Sequence, residues 1–119
     1  MATIVAMPQM ASAAAPAPYV VAIDPGHGGS PDNSHPALLF DPGSISVNGM
    51  AEKDITLDVS RRIQKRLHAD EVKVVMTRTA DQYVGIPERM TAASAAGAQL
   101  FVSVHFNFFQ DPRVNGSLI

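Results

Sequence analysis

Hydrophobic and polar positions change period along this chain, and the changes mark out its elements. Tyr19 to Asp24 is a short apolar run rich in β-branched residues, bounded by proline and glycine, and reads as a buried strand. From Lys53 to Ala69 the apolar positions Ile55, Val59, Ile63 and Leu67 recur every four residues, drawing one stripe along an amphipathic helix with Arg62, Lys65 and Arg66 outside it. Val72 to Thr77 reads as a second strand, entered after the acidic turn at Asp70-Glu71. Pro87 stands where a first helical turn tolerates it, and Ile86, Met90, Ala93 and Gly97 predict a small-residue face on a second helix that ends near Gly97. Leu100 to Phe106 is the third strand. Strand, helix, strand, helix, strand predicts an α/β fold: a three-layer arrangement whose mostly parallel sheet is flanked by helices, joined by right-handed crossovers. In such a sheet the carboxyl ends of the strands share one rim, where crevices for ligands form.

Candidate chemistry falls on that rim. The first strand stops at Asp24-Pro25-Gly26-His27-Gly28-Gly29, a glycine-rich turn presenting one imidazole; Glu52 opens the first helix; His105 ends the third strand. Two histidines and one carboxylate are the ligand set of a hydrolytic zinc site that keeps a fourth position for water. Each residue alone also has an ordinary reading, the histidines as hydrogen-bonded structural residues and Glu52 as an acidic residue favoured by the helix dipole. On the residues alone, the metal and structural readings stand side by side. Asp24 and Asp54 are candidates for a general base, though support of a ligand or helix capping suits them equally. Asn107, two residues past His105, would point to the same side of an extended strand and reach substrate or a ligand, or else simply end the strand. Arg78 and Arg89 could contact an anionic peptide stem or anchor loops. Phe106, Phe108 and Phe109 suit packing better than a sugar platform, and Gly28-Gly29 matches neither phosphate-binding fingerprint.

Taken together and in order, Asp24-Pro25-Gly26-His27-Gly28-Gly29, Glu52-Lys53-Asp54, Thr77-Arg78, Glu88-Arg89 and Ser103-Val104-His105-Phe106-Asn107 resemble the zinc-dependent N-acetylmuramoyl-L-alanine amidases of the amidase-3 type, which are cell-wall hydrolases. The likeness runs from about Tyr19 to Gly116. It implies Zn2+ held by His27, Glu52 and His105, peptidoglycan as partner, and a place in the cell envelope, periplasmic or secreted. It also implies a catalytic glutamate in a portion beyond the Ser-x-His-x-Asn strand. No glutamate follows Glu88 here, so that residue is expected beyond Ile119, the last position of this sequence. The expectation is therefore an amidase-like catalytic domain over residues 19–119 that is incomplete at its C-terminus, with the catalytic residue unknown. Two alternatives follow: a catalytically silent zinc-binding fragment or wall-binding module, and a zinc hydrolase of another amide. Between Gly29 and Asp41 the linker is longer than the short link usual in the family, and its His35, flanked by proline, reads as a solvated loop residue.

Composition narrows the partners. With 119 residues, 46% of them hydrophobic, the chain builds one domain with a real core, and its net charge of -2 gives no reason to expect nucleic acid or an anionic membrane surface. No apolar run approaches the length of a transmembrane segment. The lack of cysteine leaves only nitrogen and oxygen to hold a metal. Residues 1–18 carry no charge and contain triplets such as Ala11-Ser12-Ala13 that suit a signal-peptidase site. They lack a basic start, and Pro8 interrupts them, so they read as a signal-peptide remnant or an unstructured leader. The apolar third strand, nearly uncharged, is expected to offer a sheet edge for self-association.

Overall fold

The structure is a computed structural model that describes residues 18–30, 40–70, 72–107, 113 and 116. The leader (all but its last residue), the segment holding His35, Phe108 and Phe109, and Ile119 lie outside the described residues.

A three-stranded parallel sheet with strand order β2-β1-β3 forms the centre, built from β1 (Val20–Pro25), β2 (Lys73–Met76) and β3 (Leu100–Val104). Helix α1 (Glu52–Ala69) links β1 to β2 in sequence, and α2 (Ile86–Ala95) links β2 to β3. This is the predicted element order and α/β class. β1 takes the middle because it is the most apolar of the three; all six of its residues are buried. Its register sets Val21 opposite Val74 and Leu100, and Ile23 opposite Met76 and Val102. Alternation along the strand sends Val21 and Ile23 to one face, where they meet Val74, Ile63, Leu67, Val102 and Val104 in the core. Asp24, of the other parity, is met on the opposite side by Arg89 of α2.

The apolar stripe expected along α1 is only partly its buried face. Ile63 and Leu67 pack on the core, but the deepest positions near the helix start are Glu52, Lys53, Thr56, Leu57 and Ser60. Polar residues occupy that end because it faces polar groups, backbone and side chain alike: the Thr56 hydroxyl donates to the Gly26 carbonyl at 2.8 Å, and buried Arg78 lies against it. No side chain caps the helix. Its first N–H groups are taken instead by the preceding turn, Glu52 N donating to the Ser44 carbonyl (2.8 Å) and Lys53 N to that of Pro42 (3.1 Å).

On α2 the expected face of Ile86, Met90, Ala93 and Gly97 is corrected. Arg89 and Ala93 are the buried pair, while Ile86 and Met90 are exposed beside the rim. A buried arginine was invisible to a rule that counts apolar positions, and its hydrogen bonds turn the helix. Pro87 lies in the first turn as expected.

Candidate metal centre

The carboxyl ends of β1 and β3 and the start of α1 deliver His27, His105 and Glu52 to one point. His27 Nε2, Glu52 Oε1 and His105 Nδ1 form a nearly equilateral triangle: 3.1 Å from His27 to Glu52, 3.1 Å between the imidazoles and 3.2 Å from His105 to Glu52. The group could hold a metal ion. The imidazoles meet edge to face, their centroids 4.7 Å apart at 81°.

Each corner is held from behind. His27 sits at φ 62°, a conformation uncommon outside glycine, and is fixed there by Arg89 donating to its carbonyl at 2.8 Å. Its Nδ1 faces Asp41 Oδ1 at 2.8 Å. Glu52 is buried at 4% exposure, with Oε2 accepting from Ser44 N (2.9 Å) and Oε1 from Phe106 N (2.7 Å). Burial works to raise its carboxyl, but those backbone donors and the nearby His27 outweigh it and hold the group below the ordinary glutamate value. The His105 ring lies over Gly26, where a Cβ would come within 2.3 Å of it. At Gly43 a Cβ would meet the ring of His27 at 2.6 Å and Glu52 at 2.8 Å. Glycine at these two positions is what lets the rings and the carboxylate close on one another.

With Asp41 accepting at Nδ1, a neutral His27 carries its proton there and turns a lone pair toward Glu52 Oε1. A lone pair 3.1 Å from a carboxylate oxygen is repelled unless a proton or a cation lies between them. The donor set therefore fits a cation at the triangle.

The other expected site residues lie around this point in supporting positions. Asp24 is 4% exposed and accepts from Thr77 Oγ1 (2.5 Å), Arg89 (2.7 Å) and Ser103 Oγ (2.7 Å). Burial alone would raise its carboxyl, yet these three donors and the Arg89 charge carry it below the usual aspartate value. So saturated and so acidic a group is a poor proton acceptor, which argues against the general-base role considered for it. Asp54 is exposed on the first turn of α1, 3.6 Å from Lys53 Nζ. Of the two glutamates described, Glu52 is a corner of the triangle and Glu88 is exposed in the first turn of α2. Arg78 and Arg89 are buried, and their guanidiniums are spent on the fold: Arg78 donates to the carbonyls of Pro25, Gly26, Lys53 and Ala80, and Arg89 to those of Val84, Pro25 and His27. Of the two readings given to them, loop anchoring is what the geometry supports and contact with a peptide stem is not. Asn107 lies beyond the end of β3, so strand alternation does not set its direction. It lines a groove of about 160 Å³ with Glu52, Ile45, Met50 and Phe106. A larger cleft of about 410 Å³ is lined by His27, His105 and Asp41 together with Tyr83, Ile86 and Met90.

Sequence reading missed two groups. Asp41 figured only as the far end of the linker that follows Gly29, and nothing local marks it as the partner of an imidazole 14 positions earlier. Asp81 went unremarked, yet it accepts from Lys53 Nζ, Ser30 Oγ and Gly29 N and so ties the glycine turn to α1. Lys53, beside Glu52, was read only as a helix-opening residue; its side chain is buried in that clasp.

The N-acetylmuramoyl-L-alanine amidase family matches residues 21–119, a match that runs to Ile119. The chain is 35% identical over 98 residues to the N-acetylmuramoyl-L-alanine amidase AmiC of Neisseria meningitidis, covering 82% of this chain and 21% of that protein. It is 39% identical over 87 residues to a sporulation-specific N-acetylmuramoyl-L-alanine amidase of Bacillus subtilis, covering 71% and 30%. Among solved structures, the amidase AmiC2 of Nostoc punctiforme superposes with a TM-score of 0.67 at 34% identity over 78% of this chain and 46% of that one. The chain spans between 17% and 41% of the length of the curated relatives it matches.

Proposed function

Because the chain belongs to the N-acetylmuramoyl-L-alanine amidase family of the amidase-3 type, we propose that it hydrolyses the amide bond between N-acetylmuramic acid and L-alanine in peptidoglycan, at a zinc ion held by His27, Glu52 and His105. The observation that carries this reading is the triangle of ligand atoms with edges of 3.1 to 3.2 Å. Ligand atoms about 2.0–2.1 Å from a tetrahedral zinc stand roughly 3.3 Å apart, so little movement would be needed to admit the ion. Two imidazoles and one carboxylate, with no cysteine in the chain, are a nitrogen and oxygen set suited to a zinc that keeps a position open.

When bound, the ion would supply an acidified water and a polarised carbonyl. The chain's own residues do the rest. Glu52 is kept ionised by its two backbone donors, and Asp41 keeps the lone pair of His27 Nε2 available. The cleft lined by His27 and His105 and the groove lined by Glu52 both border the triangle and offer room for substrate. Hydrolysis adds water across the amide bond, leaving a lactyl carboxylate on the sugar and a free amino terminus on alanine. Asp24 is saturated by Thr77, Arg89 and Ser103 and Asp41 faces His27, which counts against either of them as the acceptor of the water's proton. A place in the cell envelope follows from such a substrate, and among the described residues no helix is long and apolar enough to cross a membrane.

The test digests purified cell walls with the zinc-loaded protein and reads two kinds of new ends. New alanine amino termini without new reducing sugar ends are expected, and H27A and H105A should lose both the metal, by elemental analysis, and the activity. Reducing ends, or amino termini of residues other than alanine, would replace this reading with a glycosidase or a peptidase.

A further inference from the structure

We propose that Asp41 is a positioning residue of this centre: it fixes the tautomer and the direction of His27 and thereby sets the affinity for zinc. The proposal rests on the zinc reading above. Its geometry is specific. Asp41 Oδ1 lies 2.8 Å from His27 Nδ1, and that same oxygen accepts from Gly43 N at 3.1 Å, so the carboxylate is itself oriented. The main chains of Gly28 and Asp41 exchange hydrogen bonds of 2.8 and 3.1 Å, closing an antiparallel bridge that holds the acid beside the residue following His27. The turn from Asp41 to Ser44 therefore serves two corners of the triangle. Its side chain holds His27, and Ser44 N holds Glu52 Oε2.

The chemistry follows from the imidazole. With Nδ1–H donated to a carboxylate, the neutral ring offers only Nε2 as a ligand and becomes a stronger base toward a cation. Without an acceptor there, the ring is free to carry its proton on Nε2, which would close that corner, and free to rotate out of the triangle. His27 also holds a backbone conformation uncommon outside glycine, so its direction depends on contacts made for it. The Asp41 side chain is 47% exposed and belongs to no core cluster, so its removal should spare the fold.

The test measures zinc affinity by chelator competition at fixed pH for the wild-type protein, D41A, D41N and H27A, with the melting temperature of each metal-free protein alongside. D41A should bind zinc about 10–100-fold more weakly while melting with the wild type. D41N, whose amide oxygen still accepts from Nδ1–H, should recover part of that loss. In zinc-loaded protein the Nδ1–H proton of His27 should be protected from exchange and visible by NMR in wild type and D41N, and lost in D41A. Wild-type affinity in D41A, or D41N no better than D41A, overturns the proposal. Should D41A fail to fold, D41N decides by itself, through retention or loss of that proton. H27A separates the two levels. Zinc kept in H27A would sink the metal centre as a whole, whereas zinc lost in H27A but kept in D41A would sink only the role of Asp41.

Discussion

At the scale of single residues, this site is made by what small residues leave open. Gly26 gives up its side chain so that the His105 ring can lie against the backbone of the β1 turn, with all three nearest ring atoms 2.3 to 2.7 Å from where a Cβ would be. Gly26→Ala should therefore push His105 out of the triangle while the strands persist. The expected outcome is a large loss of bound zinc, by elemental analysis, with a far-ultraviolet circular dichroism spectrum like that of the wild type; full zinc retention would show that the ring has another resting place. The glycine was legible in the sequence as part of a turn motif, but its pressure against a ring 79 positions later was not. Sequence shows that a side chain is missing, and only the fold shows what fills the space.

At the scale of elements, polar side chains rather than apolar stripes orient the helices near the rim. Asp24 at the end of β1 binds Thr77 beyond β2, Arg89 of α2 and Ser103 of β3, so one carboxylate ties three elements to the central strand. Removing its charge would strand a buried guanidinium, which costs about 3 kcal/mol or more, and Asp24→Asn should lower the denaturation midpoint accordingly in urea. The pH dependence has a definite sign. Because the folded carboxyl lies below its ordinary 3.8, its contribution is complete above that value and is lost as pH falls through the lower, folded value. Wild type should lose stability steeply below pH 3.8, and the variant should show a shallower acid limb. α1 offers the opposite case. Among the described residues the Ser60 hydroxyl is buried with no hydrogen-bond partner, and an unsatisfied buried hydroxyl costs about 1–3 kcal/mol. Ser60→Ala should stabilise the protein by about 1 kcal/mol, read as a higher melting temperature, and a lower one would mean that the hydroxyl has a partner in solution.

At the scale of the whole molecule, the sheet rim, the glycine turn and the start of α1 bring His27, Glu52 and His105 to one point, so an ion bound there would staple three separate parts of the chain. An ion that binds the folded state alone stabilises it by about 4 kcal/mol at a thousandfold excess over its Kd. For a domain of this size that corresponds to a rise in Tm of more than about 10 °C. Adding a chelator to the zinc-loaded protein should reverse that rise in wild type and leave the Tm of H105A where it was. Equal shifts in both would point to metal held elsewhere on the chain.

By itself the sequence determined the element order, the parallel sheet and the placing of His27, Glu52 and His105 at one rim. β1 and β3 are short apolar runs that end at turns, α1 carries a helical repeat, and the rim of such a sheet gathers whatever follows its strands. Those features are local, and local periodicity and turn chemistry reach as far as the strand ends. The tertiary structure alone decided the buried faces of the helices, the conversion of Arg78 and Arg89 into anchors, and the recruitment of Asp41, Ser44 and Asp81 behind the ligands. Each of these depends on where a hydrogen bond finds its partner, 8 positions away for Ser44 and Glu52 but 65 for Arg89 and Asp24. A buried donor must be satisfied by whichever acceptor folding brings near, and no repeat in the sequence records which one that is.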